Sequence, residues 1–496
     1  MIVELVSRLS PRLAANYLIN RAYYQDAKRL YQAATGTQYR PGITNTGSGD
    51  KSVQVAGTRL RQLARHLEEN HDIVVGLFDD LVNNIVGTGV KVSPMVRTLA
   101  GELATDANKQ IGELWDEWAQ SPETTGELGL ESLERLVART YLRDGELFIQ
   151  HVTSNRFNYQ GDVPYVLDLL EPDFVPFDYD DRSKNVLHGV QCNQWGAPTG
   201  YFVYKIHPGA PDAAWTDFKQ TKVVRASNIS HLKFSRRIKQ RRGVPVVHAV
   251  INRLRDLYDY EESERIAAKI AADMTFFIER TSEFNGEVNV NSAKNRTFKM
   301  QAGAGFELLP GEKVSTIKSE RPNPKLIDFR SAMIRAVASG VGGRYSSVAR
   351  DFNGTYSAQR QELVEGVTGY RAHFVYLVRK FYRPMYARFI EQAFFSGALR
   401  GMQPDIDLSS IYRADFRPPS IPWIDPQKEA KAWQILVDAN LESRAEVIRA
   451  RGRDPEKVRE EIEQERDLVP EASSTDIETV LEDTLEDETD DSQEVA

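Results

Sequence analysis

Apolar residues recur at helical spacing from Thr58 to Leu81, at Leu60, Leu63, Leu67, Val74, Leu77 and Leu81, with a joint over His71–Val75. A second stripe, Leu103, Ala107, Ile111, Leu114 and Trp118, predicts a helix over Leu99–Gln120 that Ser121-Pro122 stops. A third covers Leu130–Arg143, just before Asp144-Gly145. The period then changes: Glu146–Val152, Pro164–Leu170, Val186–Gln191, Tyr201–Ile206 and Asn228–Phe234 are short runs bounded by Gly, Pro, Asn or Asp, which reads as a β-rich segment. From Pro245 a helical pattern runs to about Ile278, with Val250, Leu254, Leu257, Ala268 and Ala271 on it and Arg253, Asp256, Glu262 and Arg265 around its middle. Such a helix of roughly thirty residues spans ~45 Å, and one that is polar on several faces bridges regions or joins an array.

Residues 279–322 return to short polar segments punctuated by Gly303, Gly305 and Pro310-Gly311, so a small β module interrupts the helices. A second helix follows Pro324 through Ile327, Phe329, Ile334 and Val337 to Gly340, Gly342 and Gly343, and the two helices flank the module as a stalk. Gly342–Tyr356 reads as a mobile loop rich in Gly, Ser and Tyr. Leu363, Val367, Tyr370, Phe374, Leu377 and Phe381 then mark a long amphipathic helix, in which Pro384 should force a kink or break near Arg383. Asp425 before Pro426, Ser443 with Glu446 three residues on, and Asp454 before Pro455 are starts of three short helices that end near Asp467.

Composition narrows the class. The 496 residues are 41% hydrophobic and 27% charged, an ordinary globular balance with length for about three units. Cys192 stands alone, so no intrachain disulfide, CxxC redox pair or cysteine-rich zinc site can form, and a reducing compartment is expected. Glu4, Arg8 and Pro11 interrupt the first turns, so no export signal is expected; the longest apolar window, Val244–Ile251, is too short to span a membrane. Net charge is −8, but residues 470–496 hold eleven acidic and no basic groups, which leaves +3 on residues 1–469. This aromatic-free acidic end has too little apolar surface to offset ordering entropy and is expected to be disordered.

Candidate chemistry is sparse. Gly47-Ser48-Gly49-Asp50-Lys51-Ser52 resembles a phosphate loop only superficially, because Asp50 and Asn45 stand where glycines are required. No GxGxxG, HExxH or GxSxG occurs, and His66 and His71 are not spaced to share a helix face, so no catalytic residue, cofactor or protein-bound metal is assigned. Asp173, Asp178, Asp180 and Asp181 are either oxygen ligands of a divalent metal in a nucleic-acid-processing enzyme or a solvated turn. Lys233, Arg236, Arg237, Lys239, Arg241 and Arg242 put six cations in ten residues beside Phe234, suited to DNA phosphates or to subunit contacts. Arg344, Tyr345, Arg350 and Tyr356 either touch a polymer or pack. The acidic end could recruit basic partners to a non-ring interaction scaffold.

Several segments carry a resemblance. They are Leu170-Glu171-Pro172-Asp173-Phe174-Val175-Pro176; Gly189-Val190, Trp195-Gly196 and Ala197-Pro198 through His207-Pro208-Gly209; Arg242-Gly243-Val244-Pro245; Leu309-Pro310-Gly311-Glu312; Tyr345–Ser357 with Asp351-Phe352-Asn353-Gly354; and Asp425-Pro426-Gln427-Lys428-Glu429. In that order and spacing, over Thr58–Asp467, the chain resembles the lambda-like family of tailed-bacteriophage portal proteins. Two departures stand out: Lys239 with Gln240 replaces the usual glycine-containing loop before Arg242-Gly243, and the acidic tail has no counterpart.

The resemblance implies an α+β subunit with no enzymatic activity, assembled as a ring of twelve at the portal vertex of the virion after assembly in the host bacterial cytoplasm. It divides the chain into an N-terminal extension (1–57), a wing of helices then strands (58–242), a first stem helix (243–278), a clip (279–322), a second stem helix (323–342), a tunnel loop (343–357), a long kinked helix with return to the wing (358–426), crown helices (427–469) and the tail (470–496). Gly342, Gly343, Arg344, Tyr345, Ser346, Ser347, Arg350 and Tyr356 would face the DNA channel, and Arg280, Lys294, Arg296 and Lys299 of the clip would dock the motor or an adaptor. Implied partners are double-stranded DNA, the terminase large subunit, a head–tail connector protein, and the major capsid and scaffold proteins, with no membrane.

Overall fold

Helical stripes and short strands settle into a helical core with a β-rich lobe beside it. The computed structural model describes residues 47–153, 161–211, 220–273, 277–280, 312–315, 323, 325–400, 405–420 and 426–468. Helices Gly49–Asn70 (α1) and Asp72–Ile85 (α2) part at His71, whose backbone is extended (φ −122°, ψ 112°), within the joint the sequence marks. The second stripe becomes helical only from Thr105, as Thr105–Trp118 (α3). Gly101, at φ +88°, turns the preceding segment, and the Leu99 N–H donates to the Asp405 carbonyl at 2.7 Å, so Leu99 is exposed rather than packed. Leu130–Asp144 (α4) ends on Gly145, in the left-handed region at φ +79°.

The strands Glu146–Val152 (β2), Val166–Leu170 (β3) and Ile229–Lys233 (β8) form an antiparallel sheet in the order β3-β2-β8. A second sheet runs Val186–Leu187 (β4), Val190–Cys192 (β5), Pro198–Tyr204 (β6) and Thr221–Arg225 (β7) in chain order. Phe148, Leu170, Val175, Val190, Tyr201 and Val203 pack between them as a separate small core. Lys91–Pro94 (β1) and Ala414–Arg417 (β11) also pair antiparallel, an interaction with no signal in either local sequence.

The pattern starting at Pro245 is a 3-10 turn over Val246–Ala249 followed by helix Ile251–Asp273 (α5). It stops short of Ile278 because Phe277–Arg280 (β9) is a strand, paired antiparallel with Glu312–Ser315 (β10). Leu326–Val341 (α6) packs back along α5, where Arg330 pairs with Glu261 at 2.7 Å and Tyr260 meets Phe329. After Tyr345–Ala349 (α7), the chain runs as Tyr356–Leu377 (α8) and Arg383–Ser396 (α9), joined by a π-helical turn at Val378–Tyr382. Pro384 therefore causes no break. Proline lacks an N–H and crowds the carbonyl four residues back, and the wide π turn just ahead of it accommodates both defects within a continuous helical path.

These two helices are the hub of the main core. Phe374, Leu377, Phe381, Met385 and Phe389 meet Leu77 and Phe78 of α2, Val137 of α4 and Ile334 of α6 within one cluster. Trp115 meets Phe389 edge-on at 5.0 Å, while Trp118 stacks on Tyr165 at 5.4 Å and donates its Nε1–H to the Tyr165 carbonyl at 2.6 Å. Pro426–Asp438 (α10), Arg444–Ala450 (α11) and Pro455–Leu468 (α12) follow, with Ser443 capping α11 through its hydroxyl. Neither α10 nor α11 buries a residue.

Candidate functional site

Two halves of the glycine-rich segment after α6 behave differently. Gly342, at φ +79°, ends α6, and the N–H groups of Gly342 and Gly343 both donate to the Ala338 carbonyl. The expected mobile loop then becomes α7, whose Ser347 and Val348 are buried. Arg344 points inward to Asp80 at 3.2 Å and lies over the Tyr370 ring, whose hydroxyl donates to the other Asp80 oxygen at 3.0 Å. Burial works against the Arg344 charge, but Tyr370 and Asp80 outweigh it and raise its pKa. The Tyr345 hydroxyl donates to Asp351 at 3.1 Å, with Arg335 over its ring, and the Ser346 N–H donates to Glu362. Only from Arg350, at φ +53°, does the chain turn outward. Phe352 (59% exposed) and Tyr356 (53% exposed) then lie at the surface.

The basic cluster is a shaped loop. Gln240 is buried; its Oε1 accepts from the N–H groups of Arg236 and Arg237, and its Nε2 donates to the Arg242 carbonyl at 2.7 Å. Lys239 holds the turn at φ +59°, a left-handed conformation that favours glycine. Arg236, Arg237 and Lys239 are exposed around Ile238, which is 93% exposed, whereas Lys233 and Arg241 are half-buried. Arg236 rests on the Phe234 ring at 4.6 Å.

Arg242 departs from the expectation of an outward contact. It is fully buried, its Nε 2.9 and 3.0 Å from the two Glu146 oxygens, and its Nη atoms donate to the carbonyls of Pro172, Val175 and His188. The reason is the backbone beside it: a Cβ on Gly243 would lie 1.9 Å from the Gly145 carbonyl oxygen, so the two segments cross in contact and draw Arg242 inside. Glu146 also accepts from Arg61 at 3.1 Å and from the Gly243 N–H at 2.9 Å. Burial alone would raise the Glu146 pKa, but Arg242, a hydrogen bond with His231 and the charge of Arg61 outweigh it and hold the carboxyl below its ordinary range. Burial pushes His231 down to about 4 despite that carboxylate, so at neutral pH a neutral imidazole faces Glu146.

The carboxylates considered as metal ligands do not gather. Asp180 accepts from the His188 N–H at 2.7 Å, and Asp181 accepts from the N–H and hydroxyl of Ser183, which is turn chemistry. Asp173 instead lies with Glu171 and His207, ligand atoms within 4.8 Å of one another. Arg65, however, sits 2.6 Å from Asp173 and 3.4 Å from Glu171, so a guanidinium already occupies the place a cation would take. Arg280 ends β9 opposite Glu312, and Lys294, Arg296 and Lys299 lie outside the described residues, as does the acidic tail.

Sequence reasoning missed Glu146, Arg61 and Gln240, whose burial comes from contacts far along the chain, and it missed Glu134. That α4 carboxylate is 1% exposed; one oxygen accepts from the Val90 N–H at 2.8 Å, and the buried Tyr382 hydroxyl lies beside the carboxyl. Burial pushes its pKa up to about 8. No described helix is long and apolar enough to cross a membrane.

The chain is similar to known proteins over most of its length. Residues 36–373 match the family model for phage portal proteins of the lambda family. The chain is 23% identical over 437 residues to a probable portal protein of Halomonas phage phiHAP-1, covering 86% of this chain and 83% of that relative. It is 21% identical over 470 residues to portal protein B of Escherichia phage lambda, covering 85% and 86%. Among solved structures, a chain from the neck of a native GTA particle computed with C12 symmetry superposes with a TM-score of 0.48 at 13% identity, covering 82% of this chain and 99% of that one.

Proposed function

Because the chain belongs to the lambda family of phage portal proteins, which is structural rather than enzymatic, we propose that it assembles as a ring of about twelve copies at one capsid vertex and conducts double-stranded DNA during packaging and ejection. The family match, which spans most of the chain, carries this reading. The subunit's own surfaces support it: α5 is anchored by Leu254 and Leu257 near its start but leaves Tyr258 and Ile266 exposed further along, a helix that needs neighbours. In this reading residues 58–242 are the wing, 243–278 and 323–342 the stem, 279–322 the clip that docks the terminase large subunit and a head–tail connector protein, 343–357 the tunnel segment and 427–469 the crown. The part of the tunnel segment offered to DNA is Arg350–Tyr356, since Arg344 and Ser347 are turned inward.

The experiment is mass by light scattering together with negative-stain imaging of the purified chain. A closed ring of about twelve subunits with a central hole is the expected result; a monomer at every concentration, with scaffold protein present, would overturn the reading. No observation favours the metal-dependent enzyme, because Arg65 fills the one carboxylate–histidine cluster among the described residues.

A further inference from the structure

The loop Arg236–Lys239 is held in a shape that keeps it open to solvent. Gln240 pins its backbone from beneath, Lys239 stands at φ +59°, and Arg236 is set on the Phe234 ring. At the tip Ile238 is 93% exposed, more than any other large hydrophobic among the described residues, with Arg236 and Lys239 to either side. Neither of these two cations pairs with a carboxylate among the described residues. A fixed, strained turn that displays an apolar side chain between charges has little ordering left to do on binding.

A cleft of opposite character lies at the far end of α4. It encloses about 550 Å³ between α3, β1 and α12, with Val92, Trp115, Ala119 and Leu130 as its apolar wall. Seven carboxyl groups and four cations line it; with Glu134 protonated at neutral pH the net charge is −2. Glu113, Asp116, Glu131 and Glu460 are exposed there and make no ion pair with Lys91, Lys109 or Lys457, the lysines of the same cleft. The loop cannot fill its own cleft. It leaves the body where the Phe234 N–H donates to the Gly145 carbonyl at 2.7 Å, at the C-terminal end of α4, whereas the cleft takes Leu130, Glu131 and Glu134 from the first turns of that helix. The fifteen residues of α4 set the two ends ~22 Å apart, and the four residues from Phe234 to Ile238 reach ~14 Å at most.

We propose that this loop docks in the cleft of a second copy of the chain, with Ile238 against the Trp115 and Leu130 wall and Arg236 and Lys239 among the carboxylates. Charge and apolar character are then matched together across one contact. Because the two surfaces differ and lie at opposite ends of one helix, the contact is head-to-tail and repeats from copy to copy, closing where the rotation allows. The inference rests on the ring reading for the existence of an assembly and names the surfaces that join it.

Charge exchange in the full chain tests it, with mass read by light scattering. Arg236→Glu with Lys239→Glu reverses the loop, and Glu113→Lys with Glu460→Lys reverses the cleft; all four positions are exposed, and circular dichroism checks that each variant keeps its fold. Each variant alone should need at least about ten-fold more protein than the parent to half-assemble, since like charges then meet. An equimolar mixture of the two should assemble as the parent does, because in alternation every loop again meets a cleft of opposite sign. A variant damaged in folding would not be rescued in this way. Ile238→Cys with Ala119→Cys should give, on oxidation, a ladder of linked copies that neither single variant gives, and the native Cys192 is buried away from it. Reversed variants that assemble like the parent, a mixture that does not recover, or no ladder from the assembled protein overturns the docking, while rings of the parent leave the ring reading standing. A parent that is monomeric at every concentration overturns both. Variant rings of unchanged mass that fail only in taking up DNA would assign the loop to phosphates, which also overturns the docking.

Discussion

Glu146 sits fully buried beneath two guanidiniums, and the chain can hold it there only because every oxygen lone pair has a donor. The cluster continues outward through Asp144, paired with Arg65 at 2.7 Å and with Arg143 at 2.8 Å, and through Glu68 to Arg139. It fastens α1 and the α4–β2 corner to the Arg242-Gly243 segment from which α5 departs. Removing one partner leaves an uncompensated buried charge, so Arg242→Met should destabilise the subunit by about 3–5 kcal/mol in denaturant unfolding. The double variant with Glu146→Gln should cost clearly less than the two single effects combined; additive costs would show that the pair is not coupled. Because the Glu146 pKa is lowered in the folded state, its contribution is present above the ordinary carboxylate range and is lost as pH falls through the folded value, a loss the double variant should not show. Of this cluster only Arg242 was singled out in the sequence, as one of a run of cations. Arg242 reads like its neighbours Arg241 and Lys239, and nothing local tells that Gly145 and Gly243 cross so closely that it must lie inside.

At the scale of elements, the π turn at Val378–Tyr382 and the α4 carboxylate Glu134 are linked by burial. The Tyr382 hydroxyl is buried beside the Glu134 carboxyl, and each shifts the other's titration. Burial raises the Glu134 pKa to about 8, opposed in part by the Val90 N–H and by the Tyr382 hydroxyl, with Glu131 and Lys91 the nearby charges. The native state thus binds a proton that the unfolded chain, near 4.5, releases. The contribution is whole below about 4.5 and falls by at most about 1.4 kcal/mol per pH unit as pH rises to about 8. Glu134→Gln keeps the acceptor for Val90 and removes the titration. Its melting temperature should match that of the parent near pH 5, exceed it increasingly toward pH 8 and keep a constant margin above that; parallel curves throughout would place the proton elsewhere. His151 and His231, both lowered to about 4 by burial, act in the opposite sense, adding stability that is lost as pH falls from 6.5 toward 4, and they are the same in both proteins. Elements with a sustained period, α2, α4, α6 and α8, were legible in the sequence because many residues repeat one signal. The pairing of β1 with β11 was not, since four residues such as Lys91–Pro94 carry no period and their partner lies far along the chain. Nor was α7: glycines and serines signal a loop, while its helix is held by Arg344 on Asp80 and by Val348 in the core.

For the whole molecule, the net charge fits the proposed conduit better than a DNA-capturing protein. Residues 1–469 carry a net charge of only +3, so in that proposal a duplex passing them would release few counterions and would not be held. What can touch it must then act by position. The surface half of the proposed tunnel segment offers one cation, Arg350, and two aromatic rings, Phe352 and Tyr356, on a turn fixed at both ends by the Tyr345–Asp351 hydrogen bond and the Thr355 cap of α8. Deleting Gly342–Ser347 would remove the end of α6 and the buried Ser347, and so would confuse folding with function. Replacing Phe352-Asn353-Gly354 by a single glycine, together with Arg350→Ala, touches only exposed positions. That variant should form rings of unchanged mass, yet in packaging reactions with the motor it should lose most of the DNase-protected DNA while its initial rate of DNA entry stays near that of the parent. Unchanged retention would mean that the duplex is gripped elsewhere along the channel, and loss of the ring itself would assign Arg350–Tyr356 to contacts between subunits instead.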